Sequence, residues 1–378
     1  MTTLRVPFLD LGAPVRALRD DIDAAIKRVL DSGWYLLGNE LQAFESSFAA
    51  YVEAPHCVGL ANGLDALRLS LVVAGVGAGD EVIVPSNTYI ATWLAISQVG
   101  AMPVPVEPIE GTFNLDPARI AARLTTRTRA IMPVHLYGQA ADLDPILALA
   151  RPRGIPVIED AAQCHGARYR GRRIGAHGDL VCWSFYPTKN LGALGDAGAV
   201  TTARTDFAER LRVLRNYGSK VRYVCDEPGM NSRLEEIHAA VLRVKLAHLD
   251  AWNARRARIA AAYLAAFADL PGLRLPEVPA WAEPVWHLFV VRHARRDALR
   301  ARLEQAGIGA IAHYPIPPHA QKAYAGLGLS DADFPIAARL HREVLSLPCH
   351  PQLSDPEVAD VIAAVREACT ALEIGHLT

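Results

Sequence analysis

The chain has 378 residues, 51% of them apolar and 21% charged, with 39 Lys and Arg against 40 Asp and Glu. That length accommodates two domains or one large domain with a smaller partner, and the composition is that of a globular rather than a disordered chain. Near-neutrality removes any bulk electrostatic case for binding nucleic acid or an anionic membrane, so an anionic ligand must be held by a local site.

No apolar stretch is long enough to cross a bilayer; the richest, "LRLSLVVAGVGAG", is broken by Arg68 and by glycines. The opening "MTTLRVPFLDLGAPVR" lacks the secretory pattern of charge, apolar run and small-residue cleavage site. Cysteines 57, 164, 182, 225, 349 and 369 are scattered without a C-x-x-C pair, which fits the reduced thiols of a cytoplasmic protein.

In chain order, short apolar runs predict strands at Cys57–Ala61, Glu81–Pro85, Pro103–Val106, Ala130–His135, Ile155–Ile158, Leu180–Phe185 and Ala199–Thr202. Most are continuously apolar, the pattern of strands covered on both faces in a mainly parallel sheet. Helical segments fall between them at Gly63–Val73, Thr88–Val99, Pro117–Leu124 and Leu143–Ala150, so the class is α/β. From about Ser232 one or two long amphipathic helices follow, with Leu234, Ile237, Val241, Val244 and Leu249 near one stripe. Then come a strand in "PVWHLFVVRH", a helix in "RDALRARLEQAGI" and a closing helix in "PEVADVIAAVREACTAL". The expected division is a large domain over 1–250 and a small α/β domain over 251–378. The patch "HYPIPPH" at 313–319 is a rigid loop or part of a site.

The glycines of "GVGAGDEV" at 75–82 follow a helix and precede a strand. A dinucleotide fingerprint needs the reverse order, so this is a tight turn. No Walker A sequence and no H-E-x-x-H spacing occurs.

A constellation is more informative. Glu159 and Asp160 end one apolar strand, and Lys189 follows the next, in a loop with Gly192, Gly195 and Gly198. Ligands of open α/β sheets bind outside the carboxyl ends of the strands, so an acid and a lysine on that rim can meet one small molecule. Asn62 and Gly63 follow a strand and open a helix, whose free N–H groups suit a phosphate. An aldehyde, a pyridine nitrogen and a phosphate satisfy all three parts in one cofactor, pyridoxal 5′-phosphate (PLP). The lysine condenses with the aldehyde, the carboxylate keeps the pyridine protonated, and the helix start with Ser184 takes the phosphate. Taken singly, each residue has an ordinary structural explanation: a solvated lysine, a capping Asp160, a turn at Gly63, a half-buried Tyr89, hydrogen-bonded His135 and His165. The order of the whole set carries the inference.

With these residues in line, the sequence resembles the DegT/StrS family of PLP-dependent nucleotide-sugar aminotransferases, of fold-type I. The resemblance runs from "FLDLGAPVRALRDDIDAAIKRVLDSGWYLLGNELQAFESSF" through "ANGLDALRLSL", "VIEDAAQCHGARYRGRRIG" and "SFYPTKNLGALGDAGAV" to "HYPIPPH" and "LSLPCHPQLSD". It implies a three-layer fold with a mostly parallel mixed sheet in the large domain. It makes Lys189 the aldimine lysine and proton shuttle, Asp160 the partner of the pyridine nitrogen, and Gln163 a neighbour of the phenolic oxygen. Tyr89 would stack on the ring, and Gly63, Leu64 and Ser184 would hold the phosphate. Asn231 and Arg233 would come from the other subunit of a homodimer, to the phosphate and the sugar nucleotide's diphosphate. Ala197 stands where many relatives have glycine. Lysine rather than histidine at 189 implies amino transfer rather than dehydration.

Stretches such as "LRNYGSKVRYV" and "IAHYPIPPHAQKAY" resemble relatives that aminate C3 of dTDP-3-keto-6-deoxyhexoses with L-glutamate as donor. Tyr186, Lys220, His313 and Tyr314 are candidate sugar-nucleotide contacts. The alternatives are a C4-aminating transaminase, a PLP-dependent sugar dehydratase, or a non-catalytic PLP-binding regulator. No metal, nucleic-acid or membrane role is expected.

Overall fold

Alternation within each apolar run decides how the core is layered. The computed structural model describes residues 4–374. The large sheet comprises β1 (His56–Leu60), β2 (Glu81–Pro85), β3 (Met102–Val106), β4 (Thr128–Ile131), β5 (Ile158–Asp160), β6 (Leu180–Ser184) and β7 (Gly198–Thr202). Strands β3, β2 and β4 form one parallel group, and β5, β6, β7 and β1 a second. Parallel bridges Ile131–Val157 and Val134–Asp160 join the two groups. The spatial order is therefore 3-2-4-5-6-7-1, with only β7 antiparallel to its neighbours. That is the expected mostly parallel mixed sheet.

Because side chains of a strand alternate between faces, Val58, Val82, Val84, Ile158, Cys182 and Val200 point into one core. It is closed by helices α1 (Gly63–Val73) and α2 (Ile90–Gln98) and by Thr205–Leu214. Cys57, Ile83, Ile131, Val181, Trp183 and Ala199 point the other way, against Phe44, Phe48, Ile146 and Leu242. Phe48 packs edge-on to Trp183 and to Phe185 at 5.2 Å. Burial on both faces explains the continuously apolar runs.

Local differences from the sequence expectations have identifiable causes. The helix expected from Thr88 starts at Ile90, because Tyr89 is its N-cap in an extended conformation. The segment at 117–124 is α-helical only to Ile120 and tightens to a 3-10 turn over Ala121–Arg123. The run expected at Ile155–Ile158 pairs in a strand only over Ile158–Asp160, since Pro156 offers no N–H to a ladder. The long helical stretch divides into α3 (Glu236–Leu246) and α4 (Leu249–Phe267). The glycines at 75–79 form the expected turn: Gly75 and Gly79 have φ of 79° and 85°, and Asp80 Oδ2 accepts from Gly77 N at 2.9 Å.

A second core lies in the C-terminal part. Phe289–His293 pairs antiparallel with Leu273–Arg274 and Val344–Leu347. The far half of α4, through Ile259, Tyr263 and Phe267, packs there with Leu299, Val361 and Val365. Val6 joins the same core, donating to Gly307 O at 3.0 Å and accepting from Gly309 N at 2.9 Å. Helix α4 thus enters both cores, with Leu249 in the first.

Candidate active site

The parallel strands β5 and β6 deliver Asp160 and Ser184 to the same rim, since Asp160 pairs with Cys182 in register. Strand β1 runs parallel to β6 through their shared partner β7, so the helix start after β1 reaches that rim too. The close approach needs glycine. A Cβ on Gly63 would stand 2.6 Å from Ser184 Cβ, and one on Gly198 would stand 2.4 Å from the Asn62 carbonyl. Asn62 caps α1 by accepting from Asp65 N at 2.8 Å. The first N–H groups of the helix, those of Gly63 and Leu64, have no intrahelical acceptor, and Gly63 lies against Ser184.

Asp160 is buried, with its backbone tied to Pro133 O at 2.9 Å and to His135 N at 3.0 Å. Its Oδ1 accepts from Ala162 N at 3.2 Å and its Oδ2 from the Thr92 hydroxyl at 2.9 Å. Burial pushes its pKa up, while those two donors and the charge of Lys189 pull against the rise. Across from it, desolvation lowers the Lys189 amine to about 8, with Asp160 opposing the fall. The lysine and the carboxylate therefore sense one another. His165 and His313 are lowered to about 3 and about 4 by burial and by Lys189, so both imidazoles stay neutral at pH 7.

Glu159 faces away, on the alternate side of β5. His135 Nδ1 accepts from Ala141 N at 3.0 Å, so the proton sits on Nε2 and is donated to Glu159 at 2.8 Å. Gly178 N also binds this carboxylate, at 2.5 Å. Burial raises the Glu159 pKa, but these partners outweigh it and hold the group ionised. Glu159 and His135 form a structural pair beneath the rim.

Around Lys189 and Asp160 the fold gathers Tyr89, Gln163, His313 and Tyr314. Gln163 Nε2 donates to the Tyr314 hydroxyl at 3.0 Å, and its Oε1 accepts from Tyr137 N at 2.6 Å. Tyr137 donates its hydroxyl to the His313 carbonyl. The Tyr89 ring, half exposed, lies 5.0 Å from that of Tyr314. Tyr186 is half exposed, with its N–H 3.4 Å from Ser184 Oγ. Lys220, Asn231 and Arg233 lie elsewhere, along one segment. Asn231 bridges Asn216, Arg233 donates to Asn216 Oδ1 at 3.2 Å, and Lys220 sits in the exposed hairpin Ser219–Val221 with Val224–Cys225. No hydrogen bond among the described residues links these three to the Lys189 cluster within one chain. Thr92 was missed by the sequence reading, although its spacing from Thr88 by one helical turn was a usable signal.

These groups fit a phosphorylated pyridine aldehyde. A buried carboxylate with a donor on each oxygen suits a pyridine nitrogen, an amine of lowered pKa suits imine chemistry, and a cradle too tight for a Cβ suits phosphate. Among the described residues no cluster of His, Cys, Asp and Glu could hold a metal ion. The sheet order, the rim and this donor set define a fold-type I PLP-dependent enzyme.

Comparison with known proteins agrees. Residues 16–366 match the DegT/DnrJ/EryC1/StrS aminotransferase family, and the chain belongs to it. It is 56% identical over 97% of its length, and 96% of the relative's, to a dTDP-3-amino-3,4,6-trideoxy-alpha-D-glucose transaminase of Streptomyces venezuelae. It is 51% identical over 95% of its length, and 98% of the relative's, to a dTDP-3-amino-3,6-dideoxy-alpha-D-galactopyranose transaminase of Aneurinibacillus thermoaerophilus. The crystal structure of S. venezuelae DesV in complex with a ketimine intermediate superposes with a TM-score of 0.95, at 56% identity over 97% of this chain and 98% of that one. The protein is an aminotransferase and its cofactor is PLP.

Proposed function

We propose that the protein transfers an amino group from L-glutamate to C3 of a dTDP-3-keto-6-deoxyhexose, yielding a dTDP-3-amino-3,6-dideoxyhexose. The observation that carries this is the half-buried Lys189, whose amine has its pKa lowered to about 8 and senses the charge of Asp160, on a chain whose two relatives above are both named for dTDP-linked 3-amino sugars.

When bound, PLP supplies an electrophilic carbon and an electron sink. Lys189, with its pKa near 8, is poised to give and take a proton at its Nζ around neutral pH. Asp160 holds the proton on the pyridine nitrogen, and Thr92 and Ala162 N keep its carboxylate turned to that task. Gln163 reaches the ring's phenolic oxygen, and Tyr89 stacks on the ring. The Gly63 and Leu64 amides with Ser184 hold the phosphate. Tyr186, His313 and Tyr314 border the space for the sugar.

The working unit is a homodimer whose second subunit supplies Asn231 to the phosphate and Arg233 to the nucleotide's diphosphate, and Lys220 is a further contact to the sugar nucleotide. Exposed aromatic side chains support a second copy: Trp34 is 63% exposed, Tyr217 51% and Tyr223 88%. The near-neutral chain and its free cysteines suit the cytoplasm.

A panel of dTDP- and UDP-linked 3-keto and 4-keto sugars, each incubated with glutamate, tests the assignment. Amination of the dTDP-3-keto-6-deoxyhexose at a rate at least ten times that of any 4-keto sugar is expected; a preference for a 4-keto sugar refutes it. Mixing inactive Lys189→Ala with inactive Arg233→Ala subunits should restore activity through one intact shared site, and no recovery would refute the cross-subunit role.

A further inference from the structure

Asp160 ends β5 and Lys189 lies in the loop after β6, and one polar chain ties the two regions together. Asn190, next to the lysine, is buried, as is His287 in the segment leading into Phe289–His293. Asn190 Nδ2 donates to the Val285 carbonyl at 3.0 Å and to Asn253 Oδ1 at 2.9 Å. Asn253, on α4, donates through its own Nδ2 to the His165 carbonyl at 2.8 Å. His165 stands a short way beyond Asp160, in the loop that follows β5.

The ends of the chain fix the direction of every bond in it. A backbone carbonyl only accepts, so Val285 O and His165 O decide which way both amides point. Both Asn190 amide protons are used on that side. Its Oδ1 therefore faces His287 Nδ1, at 3.1 Å, and the imidazole carries a proton on Nδ1. Burial, and then the charges of Lys189 and Arg256, hold the His287 pKa well below its ordinary value, so the ring is uncharged at pH 7.

The surroundings leave these groups little freedom. Arg256, about one turn along α4 from Asn253, donates Nη1 to the carbonyls of Trp286 at 3.2 Å and His287 at 3.3 Å. Gly166, with φ of 92°, makes room for Asn253: a Cβ there would stand 2.9 Å from Asn253 Nδ2. Farther along the lysine loop, Lys245 Nζ donates to Gly192 O at 2.7 Å. A buried network with its members satisfied rigidifies what it joins.

We propose that His287 is a positioning residue for amino transfer, which by donating to Asn190 fixes the lysine loop and, through Asn253, its distance from the Asp160 loop. It acts through Asn190 and touches neither substrate nor cofactor. The proposal rests on the roles given above to Lys189 and Asp160. Lys189 has to present Nζ to a ring that Asp160 anchors, so the spacing of the two loops is part of the proton-transfer geometry. A misplacement of about 1 Å in such a geometry costs on the order of 100-fold in rate.

Three substitutions separate the two ring nitrogens. His287→Leu removes the donor. His287→Asn puts an amide nitrogen where Nδ1 stood, and His287→Gln puts one near Nε2. Capture of PLP by Lys189 is followed by mixing apoprotein with PLP, trapping with borohydride and mapping the labelled peptide by mass spectrometry. His287→Leu should slow that capture and lower kcat, each by roughly 10- to 100-fold, with the KM for the sugar nucleotide unchanged. His287→Asn should restore most of both, and His287→Gln should not. Wild-type capture and kcat in His287→Leu overturn the proposal, as does rescue by Gln in place of Asn. Asn253→Ala, at a half-buried position, breaks the link to the Asp160 loop while sparing the His287–Asn190 bond. It should slow capture in the same way, and an unchanged rate there overturns the proposal even if His287→Leu does not fold. No label on Lys189 in the wild type would overturn the Lys189 assignment itself, and this proposal with it.

Discussion

Thr92 and Asp160, 68 residues apart in sequence, are joined by a 2.9 Å hydrogen bond in which the hydroxyl donates to carboxylate Oδ2. Thr92 is itself fully buried, and its hydroxyl lies 2.9 Å from that of Thr88 on the turn before. With Oδ2 engaged by Thr92 and Oδ1 by Ala162 N, the carboxylate cannot rotate freely. Thr92→Val removes the donor at nearly constant volume. The Asp160 pKa should rise further and kcat should fall roughly ten-fold, in the range seen when outer partners of a functional group are lost. Thr92→Ser should restore the bond and most of the rate. Steady-state kinetics and the pH titration of the cofactor's absorbance check both.

Asp160→Asn leaves the shape of the site and removes the negative charge opposite the pyridine nitrogen. Turnover should drop by about 10²–10³-fold, the scale of losing one preorganised electrostatic partner. Retention of near-normal turnover would contradict the role given to Asp160.

Lys189 has its pKa lowered to about 8 in the folded chain against an ordinary 10.5. Between those values the unfolded state binds more protons than the native state, so the Lys189 contribution to stability improves as pH rises through that window. Below pH 8 the buried charge is a full penalty. Apo Lys189→Met should therefore melt higher than the apo wild type below pH 8, and the gap should close by about pH 10.5. Melting the two apoproteins in parallel isolates this group from the buried cysteines, whose raised pKa values act in the opposite direction.

Gly63→Ala places a Cβ 2.6 Å from Ser184 Cβ, at the start of α1. Helix and strand must separate to admit it, and the phosphate cradle opens. The dissociation constant for PLP should rise at least about ten-fold, worth roughly 1.4 kcal/mol, with secondary structure retained. Fluorescence titration of apoprotein with PLP, alongside circular dichroism, checks it.

Arg215 and Glu45 form a nearly buried ion pair that also binds both backbone groups of Gly59. Glu45 Oε1 accepts from Gly59 N at 2.7 Å, and Arg215 Nη1 donates to Gly59 O at 2.9 Å. Arg215→Met strands the carboxylate, and should cost about 3–5 kcal/mol. A urea melt gives the loss directly, and the doubly substituted Glu45→Leu/Arg215→Met protein should recover part of it.

What the amino-acid order by itself determined is everything written in short-range pattern. Continuous apolar runs such as Glu81–Pro85 marked strands buried on both faces, and the span Gly63–Val73 was legible as a helix opening directly after a strand at Asn62 and Gly63. Lys189 and Asp160 were legible for the same reason, because Asp160 ends one strand, Lys189 follows the next, and the strand ends share one rim. Only the tertiary structure decided which distant groups meet. The Thr92–Asp160 bond, the approach of Tyr89 to Tyr314, and the chain from His287 through Asn190 to Asn253 depend on how helices cross the sheet. Hydrogen bonds and desolvation act over a few ångströms in space, and spacing along the chain does not encode those distances.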